Sequence, residues 1–279
     1  MPTRSVLFTP GDEITMMRKS LESDADVLIL DLEDAVALTA KDEARKAVST
    51  VLTENSNARP RVWVRINPLE VGGQEDISSL ATAETAPENI VVPMVDSIGD
   101  IQDAANELDE MGLNSEIIAI IETAAGLTAV EEIATHPQLT GIIFGAEDFT
   151  ADMGIIKLED TNYLSYARSR VAVAGAAAAI ATIDTVYTDI ENLEGLRTDA
   201  RQALNFGFDG KVAIHPVQLS VLNDVFTPSD TDITWAREVL SARSEAGGKG
   251  VFELNGQMID APILSRAEEI LHRAGESVE

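Results

Sequence analysis

Short apolar runs alternate with amphipathic stretches along most of this chain. Eight runs predict β-strands, at residues 4–8, 27–32, 61–66, 90–93, 117–121, 141–144, 185–187 and 210–214. Continuous apolar runs of this length are typical of strands buried on both faces of a parallel sheet. Helical periodicity predicts intervening helices, including 39–53, 98–111, 163–181 and 193–206. Strands alternating with helices over about 220 residues predict an α/β fold, a (β/α)8 TIM barrel.

A different pattern follows the predicted barrel. Residues 227–230 read as a linker and 231–246 as a helix. A hairpin is predicted at 251–259 around Asn255-Gly256, a pair that favours the type I′ turn, and a last helix at 261–274. We therefore expect two domains, a barrel at 1–226 and a C-terminal helix–hairpin–helix lid at 227–279.

Polar residues recur where the predicted strands end. Arg65 ends the third strand, Glu122 follows the fifth and Asp148 follows the sixth. The second strand ends in three acids, Asp31, Glu33 and Asp34. One such acid is equally consistent with a helix cap or a solvated loop residue. Recurrence on several strands favours a site, because ligands bind at the carboxyl end of parallel barrels.

The residue types at these positions suggest metal-assisted chemistry. Carboxylates without cysteine or paired histidine favour a hard cation, Mg²⁺ or Mn²⁺. Arg65 offers a two-pronged donor for a substrate carboxylate. A 2-oxo acid would suit such a site, and a metal acting as a Lewis acid would promote aldol or Claisen chemistry. The alternative, a Schiff base, needs a lysine at this mouth. Lys211 starts the eighth strand, where we expect a solvated residue at the wrong end of the barrel.

Composition narrows the class of protein. Acids outnumber bases 48 to 20, for a net charge of −28, so nucleic acid is not expected as a partner. A dispersed acidic surface poor in lysine favours adaptation to high salt over an ordinary acidic protein. The absence of cysteine excludes disulfides and thiolate metal sites. Neither a signal-peptide pattern nor a membrane-spanning run is found, so we expect a cytoplasmic protein.

Seven motifs in order resemble the citrate lyase β-chain and malyl-CoA lyase family. They are RSVLFTPGD, LDLEDAV, VRIN, IETAAG, GAEDFTADMG, GFDGKVAIHPVQL and GQMIDAP. The resemblance implies a barrel of the phosphoenolpyruvate/pyruvate type in a homotrimer or homohexamer. It implies Mg²⁺ on Glu122 and Asp148, and substrate contacts from Arg65, Glu122, Gly145, Ala146 and Asp148.

The resemblance also implies roles outside the metal site. Asp260 in GQMIDAP matches a lid aspartate that enters a neighbouring subunit's site, although it is equally placed to cap the last helix. Coenzyme A is expected near Arg4, Phe8, Lys19, His215 and Pro216, of which Arg4 and Lys19 are also consistent with surface charges. Where the family pattern reads PKVES, this chain has Pro93-Met94-Val95-Asp96-Ser97, and the departure that matters is Met94 in place of the lysine.

The function implied is cleavage or formation of a malyl-CoA or β-methylmalyl-CoA type thioester. The products would be glyoxylate and acetyl-CoA or propionyl-CoA, with catalysis by Arg65, Glu33, Asp34 and Asp260. A citrate lyase β subunit, a citramalyl-CoA lyase and a malyl-CoA thioesterase remain open alternatives. From another class, so does a non-catalytic assembly barrel.

Overall fold

The structure, a computed structural model, describes residues 3–55, 60–156, 164–245 and 250–276. The chain divides into two compact units. One spans Thr3–Asn223, and the other comprises the described residues from Asp224 onward. No helix in the described ranges combines the length and apolar character needed to span a membrane.

The first unit is a closed barrel of eight parallel strands in sequence order, with β8 paired to β1. The strands are β1 (Ser5–Pro10), β2 (Val27–Asp31), β3 (Arg61–Arg65), β4 (Asn89–Val92), β5 (Glu116–Ile121), β6 (Leu139–Phe144), β7 (Ala181–Asp184) and β8 (Gly210–Ala213). This arrangement confirms the predicted TIM barrel.

Helices surround the strands of this unit. They are α1 (Ile14–Ser20), α2 (Lys41–Glu54), α3 (Gly73–Leu80), α4 (Ile98–Met111), α5 (Ala124–Ile133), α6 (Ala146–Asp152), α7 (Ser165–Ala178) and α8 (Leu193–Phe206). A further helix, α9 (Leu219–Phe226), crosses the boundary between the two units at Asn223. The bounds of α4 and α8 are those predicted, because an amphipathic stripe marks both. The short helices α3 and α6 were not predicted from the sequence.

The barrel interior is filled by alternate residues of the strands, mostly branched aliphatic side chains together with Trp63. Because side chains alternate between the faces of a strand, the residue two positions beyond an interior residue also faces inward. Ile29, Trp63 and Ile120 are such interior residues. Asp31, Arg65 and Glu122 therefore come at the inward-facing positions at the carboxyl ends of their strands.

The seventh strand does not lie where the sequence suggested. The alanine-rich run predicted a helix to residue 181 and a strand at 185–187. Instead α7 ends at Ala178, its C-cap Ala179 has a left-handed backbone with φ of 56°, and β7 is Ala181–Asp184. Alanine favours a helix at every position, so composition gave no stop signal. The left-handed residue ends the helix.

Lys211 corrects a second prediction, because it is fully buried rather than solvated. Its Nζ lies 2.6 Å from Asp184 Oδ2 and 2.6 Å from Asp199 Oδ2. Arg168 contacts the same two aspartates at 2.9 Å. Two bases and two acids on α7, β7, α8 and β8 thus form a buried, charge-balanced network outside the barrel interior.

The second unit has its own apolar core, formed by α10 (Asp230–Glu245), β9 (Phe252–Leu254), β10 (Gln257–Ile259) and α11 (Ala261–Arg273). The hairpin turns at Asn255 and Gly256, with φ of 52° and 80°. Positive φ at both residues is characteristic of a type I′ turn, as predicted. Each unit contains one tryptophan beneath an arginine: Arg61 covers Trp63 at 5.7 Å and Arg266 covers Trp235 at 5.4 Å.

Candidate active site at the carboxyl end of the barrel

Arg65 is held rigidly at the carboxyl end of β3. Its Nε and Nη2 donate to the two carboxylate oxygens of Asp31, on the neighbouring strand, at 2.7 and 2.6 Å. The guanidinium also stacks on the ring of Phe8 at 4.8 Å. Such a bidentate, charge-assisted pair fixes the plane of the guanidinium. The clamp takes two of five N–H donors, so the two donors of Nη1 and the second donor of Nη2 lie outside the pair with Asp31.

The acidic loop after β2 lies against the Nη1 side of the Arg65 guanidinium. Glu33 Oε2 lies 2.7 Å from Nη1 of Arg65, and Asp34 Oδ2 lies 3.7 Å from it. Glu33 Oε2 is buried and has no hydrogen-bond partner among the described residues, so the contact with Arg65 is an ion pair without hydrogen-bond alignment. A buried acceptor in this state favours binding a proton or a ligand donor.

Asp31 and Lys41 fix the backbone of this loop through hydrogen bonds. Asp31 accepts hydrogen bonds from the N–H groups of Glu33 and Ala35 at 2.9 and 3.2 Å. Lys41 Nζ donates to the carbonyl oxygens of Leu32 and Glu33 at 2.6 Å each. Asp31 therefore orients both the guanidinium and the loop that faces it.

Glu122 comes directly after β5 and is 4% exposed. Its Oε1 accepts the Met94 N–H at 2.8 Å. A Cβ on Gly145, which follows β6, would lie 2.7 Å from Glu122 Oε2. The absence of a side chain at residue 145 thus gives the carboxylate its space. Ala146 N–H donates to Thr185 Oγ1 at 3.0 Å, which fixes the start of α6.

Negative charge accumulates at this mouth. Burial raises the pKa of Glu122 to about 8, against a lowering by the Met94 N–H, and the charges of Glu33 and Asp148 raise it further. Burial also raises the pKa of Glu33 to about 7, partly offset by Arg65 and reinforced by Asp34, Asp31 and Asp148. Asp148, exposed in the first turn of α6, therefore acts on both carboxylates. Burial alone would lower the pKa of Arg65, but Asp31 and the other acids raise it, so the guanidinium stays charged.

The carboxylates of Glu122 and Asp148 suit a hard divalent cation. Glu122 and Asp148 offer only oxygen atoms, and their mutual repulsion would be relieved by a cation between them. Within the described ranges, no group of three or more His, Cys, Asp or Glu side chains is arranged to hold a metal ion. A two-carboxylate site of this kind fits Mg²⁺, which keeps several ligands from water or substrate.

The residues predicted to contact coenzyme A divide into two groups: Phe8, Lys19, His215 and Pro216 lie in or after the paired strands β1 and β8, whereas Arg4 precedes β1. Phe8 lies in the barrel mouth under Arg65, and His215 caps a 3-10 turn after β8, where it accepts the Val217 N–H at 3.2 Å beside exposed Pro216. Lys19 is exposed in the last turn of α1. Arg4 precedes β1 at the opposite end of the barrel, and its guanidinium donates to both oxygens of Asp26 at 2.8 Å. This position argues against the predicted role of Arg4.

Asp260 belongs to the second unit. It stands at the N-cap position of α11 with an extended backbone, but its side chain makes no capping hydrogen bond. The capping alternative considered from sequence therefore lacks the bond that defines it. The catalytic alternative remains a prediction.

Sequence reasoning missed how the site is supported. The clamp of Asp31 on Arg65 follows from adjacent strands in register, with Asp31 opposite Arg65. This pairing could have been predicted, because the sequence places Asp31 and Arg65 at the carboxyl ends of consecutive strands. The roles of Lys41 and of the Met94 N–H had no such signal, because a backbone donor is the same in every residue.

Similarity to known proteins agrees with this geometry. Residues 4–216 match the HpcH/HpaI aldolase/citrate lyase family. The chain is 34% identical over 291 residues to the mitochondrial citramalyl-CoA lyase of Mus musculus, covering 97% of this chain and 86% of that protein. It is 36% identical over 274 residues to a citrate lyase subunit beta-like protein of Deinococcus radiodurans, covering 96% of each.

Solved structures resemble it over similar lengths. Protein CitE from Mycobacterium tuberculosis, in complex with magnesium, acetoacetate and coenzyme A, superposes with a TM-score of 0.81 at 34% identity over 99% of both chains. The citrate lyase beta subunit of the same organism, complexed with oxaloacetate and magnesium, has a TM-score of 0.71 at 32% identity. That match covers 81% of this chain and 98% of the other.

Proposed function

The chain belongs to the HpcH/HpaI aldolase/citrate lyase family, and from that premise we propose which reaction it catalyses. It is a carbon–carbon lyase of the citrate lyase β and citramalyl-CoA lyase type. We propose that it cleaves, or forms, a malyl-CoA or β-methylmalyl-CoA type thioester. The products of cleavage are glyoxylate and acetyl-CoA or propionyl-CoA. The observation that carries the proposal is the meeting of Arg65, Glu122 and Asp148 at one barrel mouth.

The lyase is Mg²⁺-dependent, and in our proposal Glu122 and Asp148 hold the ion. Bound Mg²⁺ supplies Lewis-acid polarisation of the oxygen on the carbon that becomes the oxo-acid carbonyl. The relatives solved with magnesium and acetoacetate or oxaloacetate support a role for the ion. So does the excess of carboxylates around Glu122.

In this proposal Arg65 binds the substrate carboxylate through Nη1 and Nη2, and the substrate takes the place that Glu33 Oε2 holds beside Nη1. Asp31 and Phe8 already fix the plane of the group, so little freedom is lost when the substrate binds. The clamp therefore aligns the bond to be broken relative to the carboxylates across the mouth.

Proton transfer falls to the acids around the guanidinium. Glu33, with a pKa raised to about 7 by burial, can take the hydroxyl proton of the substrate as general base, with Asp34 beside it. The carbon–carbon bond then breaks, and its electron pair passes to the thioester as an enolate. An acid returns a proton to the enolate carbon. We propose Asp260 for this step, supplied by the lid of a neighbouring subunit in a homotrimer or homohexamer.

The charges at the mouth favour an oxo acid with one carboxylate. In the described part of the chain, the ion pairs of this cluster contain a single base, Arg65, set among Asp31, Glu33 and Asp34. A second carboxylate, as in oxaloacetate, would meet repulsion, because the ammonium of Lys41 is already bonded to the carbonyl oxygens of Leu32 and Glu33. This favours glyoxylate over oxaloacetate and argues against a citrate lyase β role.

Citramalyl-CoA cleavage to pyruvate is the second candidate. Pyruvate also has one carboxylate, and a citramalyl-CoA lyase is among the relatives. Contacts of the coenzyme A part with Phe8, Lys19, His215 and Pro216 belong to the proposal in either case. So do a cytoplasmic location and adaptation to high salt.

Assay of the purified protein with Mg²⁺ in concentrated KCl tests the function. Glyoxylate, pyruvate and oxaloacetate would each be offered with acetyl-CoA and with propionyl-CoA, and free coenzyme A release would be followed to detect thioesterase activity. We expect condensation with glyoxylate and at least about 10²-fold loss in Arg65→Ala, the scale of removing one preorganised group.

The matched control is Arg18→Ala. Arg18 also pairs bidentately with an acid, Glu54, at 2.9 and 2.7 Å, but on the surface. Its loss should leave kcat/KM within about 2-fold, as for a surface pair. Equal effects of the two substitutions would remove Arg65 from the mechanism. Absence of turnover, together with no Mg²⁺-dependent thermal shift, would favour a non-catalytic barrel.

A further inference from the structure

Three residues other than glycine have a left-handed backbone in the described ranges: Met94, Ala179 and Asn255. Ala179 ends helix α7 and Asn255 forms the hairpin turn, two places where this conformation is ordinary. Met94, with φ of 53°, lies at neither kind of position. A bulky residue in this region is strained, so the surrounding structure must hold it there.

The left-handed turn redirects one N–H group. Met94 follows β4 and donates its N–H to Glu122 Oε1 at 2.8 Å rather than to a strand. The next N–H, that of Val95, returns to the sheet and donates to the Ile120 carbonyl at 3.3 Å. One residue thus leaves the hydrogen-bond ladder, and its donor reaches the carboxylate after β5.

Contacts on the following residues lock this turn in place. The carbonyl oxygen of Val95 packs against Gly126 so closely that a Cβ there would collide with it. Asp96 accepts a short hydrogen bond from the hydroxyl of Thr123. Two residues of the IETAAG motif therefore hold the segment that carries Met94.

Gly145 packs against the other side of Glu122. A Cβ added at residue 145 would lie 2.6 Å from the Glu122 Cβ, so only glycine fits there. The Met94 side chain, by contrast, is not closely packed. It is 46% exposed and borders a cavity of about 560 Å³ that is lined by six acids, Glu70, Asp96, Asp100, Asp103, Glu107 and Glu110. What the site uses at residue 94 is the direction of the N–H.

We propose that Met94 is a positioning residue whose left-handed backbone aims its N–H at Glu122 and so sets the orientation in which Glu122 holds a divalent cation. The inference rests on the proposed function only in assigning Glu122 to the metal. It accounts for methionine at this position, where the resemblance implies a lysine: a residue that tolerates the left-handed backbone and has an N–H preserves the donor.

A substitution series separates backbone from side chain. Met94→Gly and Met94→Asn keep the N–H and tolerate positive φ, whereas Met94→Val is β-branched and resists it. Mn²⁺ would serve as probe, with binding to the substrate-free protein measured by electron paramagnetic resonance, and Mg²⁺ binding by calorimetry. We expect Gly and Asn to bind within about 2-fold of the parent, and Val to bind at least about 10-fold more weakly, the effect of losing a hydrogen bond to a charged group.

Ala179→Val is the matched control, because it places the same β-branched residue at another left-handed position of the barrel unit. It should lower the thermal midpoint without changing Mn²⁺ affinity. Unchanged affinity in folded Met94→Val would overturn the inference, as would a 10-fold loss in Met94→Gly, which decides the matter if the valine variant does not fold. A parent protein that binds neither ion would instead overturn the proposed function, and the inference with it.

Discussion

At the scale of single residues, the mouth of the barrel stores electrostatic strain. Glu33 and Glu122 are buried near other acids, and burial is the main reason that the pKa of each is raised. Arg65 compensates for only part of this charge. Such an arrangement is unfavourable for the empty fold and becomes useful when a cation and an anionic substrate bind together, a trade between stability and function.

Glu33→Gln should therefore stabilise the protein at alkaline pH. The folded protein binds the Glu33 proton more tightly than the unfolded chain, since the pKa rises from 4.5 to about 7. This group thus favours the folded state most below pH 4.5, and that contribution is lost as the pH rises toward 7. In urea unfolding with EDTA, the unfolding free energy of the variant should exceed that of the parent by up to about 3 kcal/mol at pH 8 and match it near pH 4.

Glu43→Gln serves as the control, because the side chain of Glu43 is 77% exposed. Its change in unfolding free energy should stay below about 0.5 kcal/mol at both pH values. A Glu33→Gln variant that is less stable than the parent at pH 8 would contradict the prediction that ionised Glu33 destabilises the fold. The same variant should lose turnover if Glu33 is the general base.

The position of a residue could be predicted from the sequence where it follows from the place of that residue in a strand. Asp31, Arg65 and Glu122 end strands of one parallel barrel, so the sequence alone predicts that they share a mouth. The orientation of each group depends on partners far along the chain. Lys41 binds backbone carbonyl oxygens, Met94 donates a backbone N–H, and Gly145 matters because it has no side chain. A sequence pattern does not predict such contacts.

At the scale of elements, helix and strand were predictable wherever polarity alternates. The amphipathic helix α4 was predicted with its observed bounds, whereas the alanine-rich α7 obscured the start of β7. Uniform small residues give neither the 3.6-residue nor the two-residue period. The error in β7 also hid the buried partner of Lys211, because Asp184 was not expected in a strand.

The network around Lys211 should be a main support of the barrel wall. Lys211→Met would leave two buried aspartates against Arg168 alone, which should cost about 3–5 kcal/mol in the free energy of unfolding. Adding Asp199→Asn restores charge balance and should recover part of the loss, since Arg168 keeps both oxygens of Asp184. Chemical unfolding followed by circular dichroism measures both.

The same replacement at an exposed pair gives the comparison. Lys46 pairs with Glu43 on α2 and its side chain is 71% exposed, so Lys46→Met should cost less than about 1 kcal/mol. If Lys211→Met were equally mild, the buried network would be dispensable. If Asp199→Asn deepened the defect, charge balance would not be the reason for the arrangement.

At the scale of the whole molecule, charge dominates. A net charge of −28 on 279 residues produces self-repulsion that opposes the compact state, and dissolved salt screens it. The cavity beside Met94, lined by six acids and no base, is a local example.

Raising KCl from about 0.1 M to about 2 M should therefore raise the thermal midpoint by several degrees, because the screening length falls to about 3 Å near 1 M. The double variant Asp103→Asn, Glu110→Gln removes two charges from the acidic cavity lining on α4 and should gain less from the salt. A midpoint that stays constant or falls across this range would show that self-repulsion does not limit stability.

The two tryptophans give the protein a built-in pair of optical reporters. Trp63 is 2% exposed inside the barrel, and Trp235 packs against the core of the second unit. Replacing either by phenylalanine would leave fluorescence from one unit only. Whether barrel and C-terminal unit melt together or in succession can thus be followed by emission spectra alone, without attaching a dye.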